Sequence, residues 1–156
     1  MATVYFDKAF SSRINKLTVD KSKLSSRPIF PNNYSLMTFA AMVGSYYNSD
    51  CNDGRLNKKD KEIGSNLFVD HKLDGVAYLL AIDATQNGII LKSEQENQMW
   101  KYFESYSNLG MQEMESWFSS GHSISLEDVI LDRMREVALD TIVKEGKEED
   151  YQDPVF

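Results

Sequence analysis

His71, His122 and Cys51 are the side chains of this 156-residue chain suited to serve as base, acid, nucleophile or metal ligand near neutral pH. His71 stands between Asp70 and Lys72 at an expected helix entrance, with no nucleophile nearby in sequence, so a solvated or capping imidazole accounts for it. His122 lies in SGHSIS beside Ser119, Ser120 and Ser123, a setting that suggests hydrolase chemistry. No G-x-S-x-G elbow accompanies these hydroxyls, and without that turn none is presented to a substrate as a hydrolase would present it. Cys51 has basic residues a few positions away that could lower its pKa, yet it reads as a non-catalytic thiol. No catalytic residue is assigned. One cysteine forms no intramolecular disulfide, and with two histidines it supplies too few ligands for a zinc site, so no metal and no cofactor is expected.

Phosphate and calcium loops fail for want of the required residues. Neither G-x-G-x-x-G nor G-x-x-x-x-G-K-[ST] occurs, so no glycine-rich loop can wrap a phosphate in backbone amides. With Gly54 at the sixth position of an EF-hand, Ser49 and Cys51 would replace acidic ligands and Asp60 the bidentate glutamate. Asp50 and Asp53 read as turn formers.

The charges are segregated. Met1 to Lys61 holds ten Lys/Arg against five Asp/Glu, a net of +5, whereas Glu62 to Phe156 holds seven against nineteen, a net of −12. The basic end comprises Lys8, Arg13, Lys16, Lys21, Lys23 and Arg27, then Arg55, Lys58, Lys59 and Lys61 in RLNKKDK. Arg13, Lys16, Arg55, Lys58, Lys59 and Lys61 are the candidate contacts to a nucleic-acid backbone, weak and salt-sensitive; the alternative is a solvated surface or one neutralised by the chain's own acids. A stripe of Trp100, Phe103, Tyr106, Trp117 and Phe118, joined by Met99 and Met114, has the makings of a base-stacking platform. Glu94, Glu96, Glu104, Glu113 and Glu115 share its helix and would repel a polyanion, so a core or protein-contact face is expected instead.

Four helical segments position these groups. SLMTFAAMVGSYY carries Leu36, Phe39, Ala40, Val43 and Tyr47 at helical spacing, with Ser35 as N-cap. Leu73 to Thr85 is apolar around most of its circumference, with Gly88 as its C-terminal cap. Ser93 and Glu96 match a capping box before a helix from Glu94 to about Phe118, with an interruption expected near Asn108 to Gly110. A fourth helix starts at Ser125, with an Ile124/Val129 staple and a stripe of Val129, Ile130, Met134, Val137, Ala138 and Ile142. Phe6, Phe10, Ile14 and Leu17 suit a short amphipathic helix, while Thr3 to Phe6 suits a strand. Between Cys51 and Asp70, a turn at Asp53-Gly54 and a β-compatible Leu67 to Val69 suggest a small hairpin. The prediction is a mainly α, compact single-domain bundle of four or five helices over residues 1–145, followed by an acidic tail, 146–156.

Hydrophobic residues form 42% of the chain, enough for a core, and the longest apolar run, Val76 to Ile82, is far short of the ~20 residues of a membrane span. The start, MATVYFDKAF, has no secretory pattern, so a cytoplasmic protein without membrane contact is expected.

From Arg27 to about Ser119 the chain resembles the small accessory proteins associated with bacterial DNA phosphorothioation, the Dnd systems. FAAMVGSYY, RLNKKDKEIG, NLFVD leading into LDGVAYLLAI, and EQENQMWKYFESYSNLGMQEMESWF carry the resemblance. It implies a cytoplasmic accessory component encoded near DNA-modifying and restriction proteins in an anti-phage defence locus, and supplies no catalytic residue. Three functions are compatible with these residues. The first is a non-enzymatic adaptor acting on other proteins of that locus, and the second is direct nucleic-acid binding through the basic residues. The third is a small enzyme of unrecognised type, which requires His71 or His122 in a cleft beside several carboxylates. Exposed aromatics on the third helix would favour a homodimer.

Overall fold

The computed structural model describes residues 1–18, 28–120 and 125–148. The chain divides into two compact units, Met1–Ser116 and Trp117–Phe156. The elements are β1 (Thr3–Asp7), α1 (Ser11–Leu17), α2 (Asn33–Tyr47), β2 (Lys59–Gly64), α3 (Ser65–Asp70), α4 (Asp74–Thr85), α5 (Glu96–Ser120) and α6 (Leu126–Glu148), joined in part by 3-10 turns. The mainly α class holds, with α1 and α3 as short additions to the four long helices.

In the first unit, both readings of the N-terminus are realised in succession. Val4 and Phe6 alternate inward as β1, and Ile14 and Leu17, three apart, are the buried positions of α1. The hairpin expected within residues 51–70 does not form. Instead β2 pairs antiparallel with the distant β1, from Thr3 opposite Gly64 to Asp7 opposite Lys59. The opposed Val4 and Ile63, 1% and 4% exposed, form a buried apolar cross-strand pair that favours this distant pairing. Leu67 to Val69 is helical rather than extended. Ser65 and Phe68, three apart, are buried while Leu67 and Val69 are exposed, which is the periodicity of one helical turn.

Helix ends also depart from the sequence reading. Asn32, three residues before Ser35, caps α2, its Oδ1 accepting the Ser35 N–H at 2.9 Å. Gln86, not Gly88, closes α4 in the left-handed region at φ 51°, with its N–H on the Ile82 carbonyl at 2.7 Å. The Gln86 side chain donates to the Asp83 carbonyl at 2.7 Å, a local bond that favours this backbone in place of glycine's freedom. Gly88 opens the following 3-10 turn. Another such turn, Ser93–Gln95, precedes α5, which starts at Glu96.

No break occurs in α5 at Asn108 to Gly110. Gly110 serves a contact: a Cβ there would overlap the Ala40 carbonyl of α2, and one at Gly44 would overlap the Tyr106 carbonyl of α5. Two glycines thus let α2 and α5 touch backbone to backbone. Beside this crossing, Phe68 packs at 5.2 Å from Trp100 and 5.1 Å from Phe103, tilted and edge-on respectively.

In the second unit, Ser125 caps α6 as read: its Oγ accepts the Asp128 N–H at 3.1 Å and donates to the Asp128 carboxylate at 2.8 Å. The staple partner Ile124 lies outside the described residues, as do His122 and residues 149–156 of the expected tail. Val129 and Ile130 are buried, but Met134 and Ile142 are 50% and 64% exposed, so the stripe is a core face only at its start. The unit has no second helix along that length among its described residues.

Alanine at two glycines should have opposite effects. At Gly75 in α4, where a Cβ meets nothing within 4 Å, Gly75→Ala should stabilise by about 0.5–1 kcal/mol through backbone entropy. Gly110→Ala should destabilise by about 1–3 kcal/mol, because the Ala40 backbone cannot yield as a side chain would. Urea midpoints measure both, and a Gly110→Ala protein as stable as the parent would rule out the crossing.

Candidate functional site

The basic residues fall into two groups with different surroundings. Arg13, on α1, makes a two-point contact with Glu115 of α5: Nε donates to Oε2 at 2.8 Å and NH2 to Oε1 at 2.7 Å. This hydrogen bonding, reinforced by charge, raises the Arg13 pKa and lowers that of Glu115, and Lys16 adds a smaller pull on Glu115. Arg13 and Lys16 therefore face the chain's own acid. Lys21, Lys23 and Arg27 lie outside the described residues.

RLNKKDK is held differently. A 3-10 turn, Cys51–Gly54, starts with the Asp50 carboxylate accepting the Asn52 N–H at 2.8 Å. Gly54 then presses on α5, where a Cβ would overlap the Ser105 carbonyl. The Asn108 side-chain amide donates to the carbonyls of Gly54 at 3.1 Å and Arg55 at 3.4 Å, tying the segment to the helix. Asp7 anchors the far end by accepting the Asn57 N–H at 2.6 Å. Arg55, Lys58 and Lys59 are exposed, and Lys59 Nζ sits 4.7 Å from the centre of the Tyr5 ring. Lys61 is the extra residue of the bulge opposite Tyr5 and Phe6, in the left-handed region at φ 48°. Asp60 accepts a hydrogen bond from Ser11 Oγ, which with the Lys61 backbone N–H holds its carboxyl below the ordinary range.

Where this segment meets α5 there is a cleft of about 310 Å³, lined by Cys51, Asn52, Arg55, Leu56, Lys59 and, from α5, Gln98, Lys101, Tyr102, Glu104 and Ser105. Glu104 is only 5% exposed, and its carboxylate accepts the Tyr5 N–H at 2.8 Å and a Lys101 hydrogen bond at 3.2 Å. Cys51 is buried. Burial, and then Asp50, pushes its thiol pKa up, opposite to the lowering that its basic neighbours suggested. His71 closes α3 instead of opening α4, its ring stacked 4.5 Å from Tyr34 and its Nε2 2.9 Å from Tyr34 Oη. Among the described residues no group of three or more His, Cys, Asp or Glu is placed to hold a metal ion.

The aromatic residues divide by depth. Trp100, Phe103 and Tyr106 are at most 2% exposed in the first unit; in the second, Trp117 is 4% exposed and Phe118 is half-buried. The stripe is thus largely internal, which leaves little of it exposed to favour a homodimer. Trp100 nevertheless lines a second cleft of about 310 Å³ with Met99, Tyr78, Lys92, Ser93, Glu96 and the half-exposed Val69 and Leu91. Sequence reading missed Lys101, Tyr102 and Glu104 in the first cleft, the Asn108 amide that ties its loop to α5, and Val69 and Leu91 in the second. The i, i+3 spacing of Lys101 and Glu104 was visible, but nothing in it pointed to Arg55, forty-six residues away.

The Arg13–Glu115 pair yields a pH signature. With the folded pKa of Glu115 lowered, its contribution is complete above the ordinary glutamate pKa, about 4.3, and is lost as pH falls through the folded value. Because 38% of the Glu115 side chain remains exposed, solvent screening limits this to about 0.5–1 kcal/mol. Glu115→Gln should be less stable than the parent by that amount at pH 7, and the gap in urea midpoints should begin to narrow below pH ~4.3 and vanish once pH falls below the folded pKa.

No helix among the described residues is long and apolar enough to cross a membrane. Comparison with curated proteins and with solved structures yields no match. A family model, described as DNA sulphur modification system-associated protein 4, matches residues 8–152, a wider span than Arg27 to Ser119. It takes in the N-terminal basic residues from Lys8 and most of the acidic tail, both of which the resemblance had left out. The chain belongs to the DNA sulphur modification system-associated protein 4 family.

Proposed function

We propose that this protein is a non-enzymatic adaptor of a DNA sulphur modification system, working in the cytoplasm through contacts with other proteins of the same anti-phage defence locus. The cleft over Trp100 carries this reading. Val69 and Leu91, 49% and 45% exposed, line it together with the buried Met99 and Trp100, so an apolar side chain from a partner seated there would bury area against them. Lys92, Ser93 and Glu96 line the same cleft and offer polar contacts.

Direct nucleic-acid binding is the second reading, supported by Arg55, Lys58 and Lys59, which are exposed on a segment anchored at both ends. Lys61 would contribute from the bulge, whereas Arg13 would first have to leave Glu115, whose charge also acts on Lys16. This binding would rest on phosphate charge and weaken steeply with salt.

Two measurements test these readings. Co-expressed with the sulphur-modification proteins of its own locus, the tagged chain should recover a partner, and Leu91→Glu should weaken recovery at least tenfold without lowering the urea midpoint. Failure to recover any of those proteins at several salt concentrations would count against the adaptor. For the second reading, duplex and single-stranded DNA are titrated as salt is varied; binding should be measurable at ~50 mM salt and fall as salt rises. Absence of binding at ~50 mM would remove that reading.

A further inference from the structure

We infer that the cleft between the Cys51–Lys59 segment and α5 is a binding site for a single nucleotide, with Arg55, Lys59 and Lys101 holding its phosphate and Tyr102 offering a surface to its base. The inference deepens the nucleic-acid reading and rests on it for Arg55 and Lys59. Lys101 and Tyr102 belong to the cleft alone.

The charge balance points to an anion. Three cations and one carboxylate line the cleft, and the carboxylate, Glu104, already accepts hydrogen bonds from Tyr5 N–H and Lys101. In a chain of net charge −7, this leaves a local excess of two positive charges around a recess, where low-dielectric walls concentrate the field. Arg55 brings a planar fork suited to phosphate oxygens, and the two lysines bring point charges.

The volume and lining narrow the ligand. About 310 Å³ lies at the small end of the range of roughly 300–1,000 Å³ for small-molecule sites; a duplex cannot enter, while one nucleotide can. Tyr102 supplies an aromatic surface, and Asn52, Gln98 and Ser105 supply hydrogen-bonding groups for base edges. The walls are set before any ligand arrives. Gly54 lies against the Ser105 backbone, Asn108 fastens the Gly54 and Arg55 carbonyls, the Tyr5 ring supports Lys59, and Glu104 fixes the floor. Such preorganisation lowers the ordering cost of binding.

Two sources share this chemistry, a free nucleotide and an unstacked nucleotide of a single strand. The test titrates the full chain at ~50 mM salt with nucleoside 5′-monophosphates, inorganic phosphate, a short oligothymidylate and a duplex. Lys101→Gln and Arg55→Gln remove cleft charges, the first keeping a hydrogen-bond donor for Glu104, and Lys58→Gln removes a charge from the same run outside the cleft. Monophosphates should bind more tightly than inorganic phosphate. Both cleft variants should weaken that binding about tenfold, Arg55→Gln with an unchanged urea midpoint and Lys101→Gln with one lowered by the lost charge beside Glu104, and Lys58→Gln should leave binding unaltered. Oligothymidylate binding that monophosphates displace identifies a strand as the source, and monophosphate binding without it identifies a free nucleotide. Duplex binding that Lys58→Gln weakens as much as Lys101→Gln, with no monophosphate bound, would overturn the cleft and leave the broader nucleic-acid reading standing. No binding of any probe would overturn both.

Discussion

The backbone contact between α2 and α5 at Gly44 and Gly110 sets the register for the rest of the first unit. Once Gly110 lies against the Ala40 carbonyl and Gly44 against that of Tyr106, neither helix can slide or turn without a clash. One stretch of α5 then meets its neighbours in sequence order. Phe103 reaches Phe68 of α3, Glu104 the Tyr5 amide of β1, Ser105 the backbone of Gly54, and Asn108 the carbonyls of Gly54 and Arg55. At 1.5 Å per residue these contacts span only about 8 Å of helix, so the strand pair, the basic segment and the aromatic cluster share one support.

Polar groups follow the same geometry. Glu104 is a buried carboxylate that survives because a strand amide and a lysine satisfy it, while its attraction for Lys101 draws a cation to the cleft. Arg13 and Glu115 join the basic end to the acidic helix, so part of the charge segregation is resolved within the molecule. Among the described residues, four cations of the basic end lie together in the RLNKKDK segment, where Arg55 and Lys59 reach the cleft and Lys58 and Lys61 lie outside its lining.

Helical class, the four long helices and the Ser125 cap were legible because periodicity and capping chemistry are local, as was membership of a sulphur-modification family from its quoted segments. Local reading failed where a distant partner decided the outcome. Gly110 resembled a break because glycine has poor helix propensity, and only the passing α2 backbone makes it a requirement. Leu67 to Val69 had strand-forming residues, but the aromatic cluster needed Phe68 alone on the inside.

By itself, then, the sequence determined the four long helices, where the charges lie along the chain, and that no known catalytic or phosphate-binding motif is spelled out. Tertiary structure alone decided which charges are neutralised and which aromatics are buried, and it brought Lys101 beside Arg55 and Lys59. The physical reason is range. Propensity and capping act over a few residues, whereas the cleft exists only because Gly54 can approach α5 closely enough for Asn108 to hold the loop.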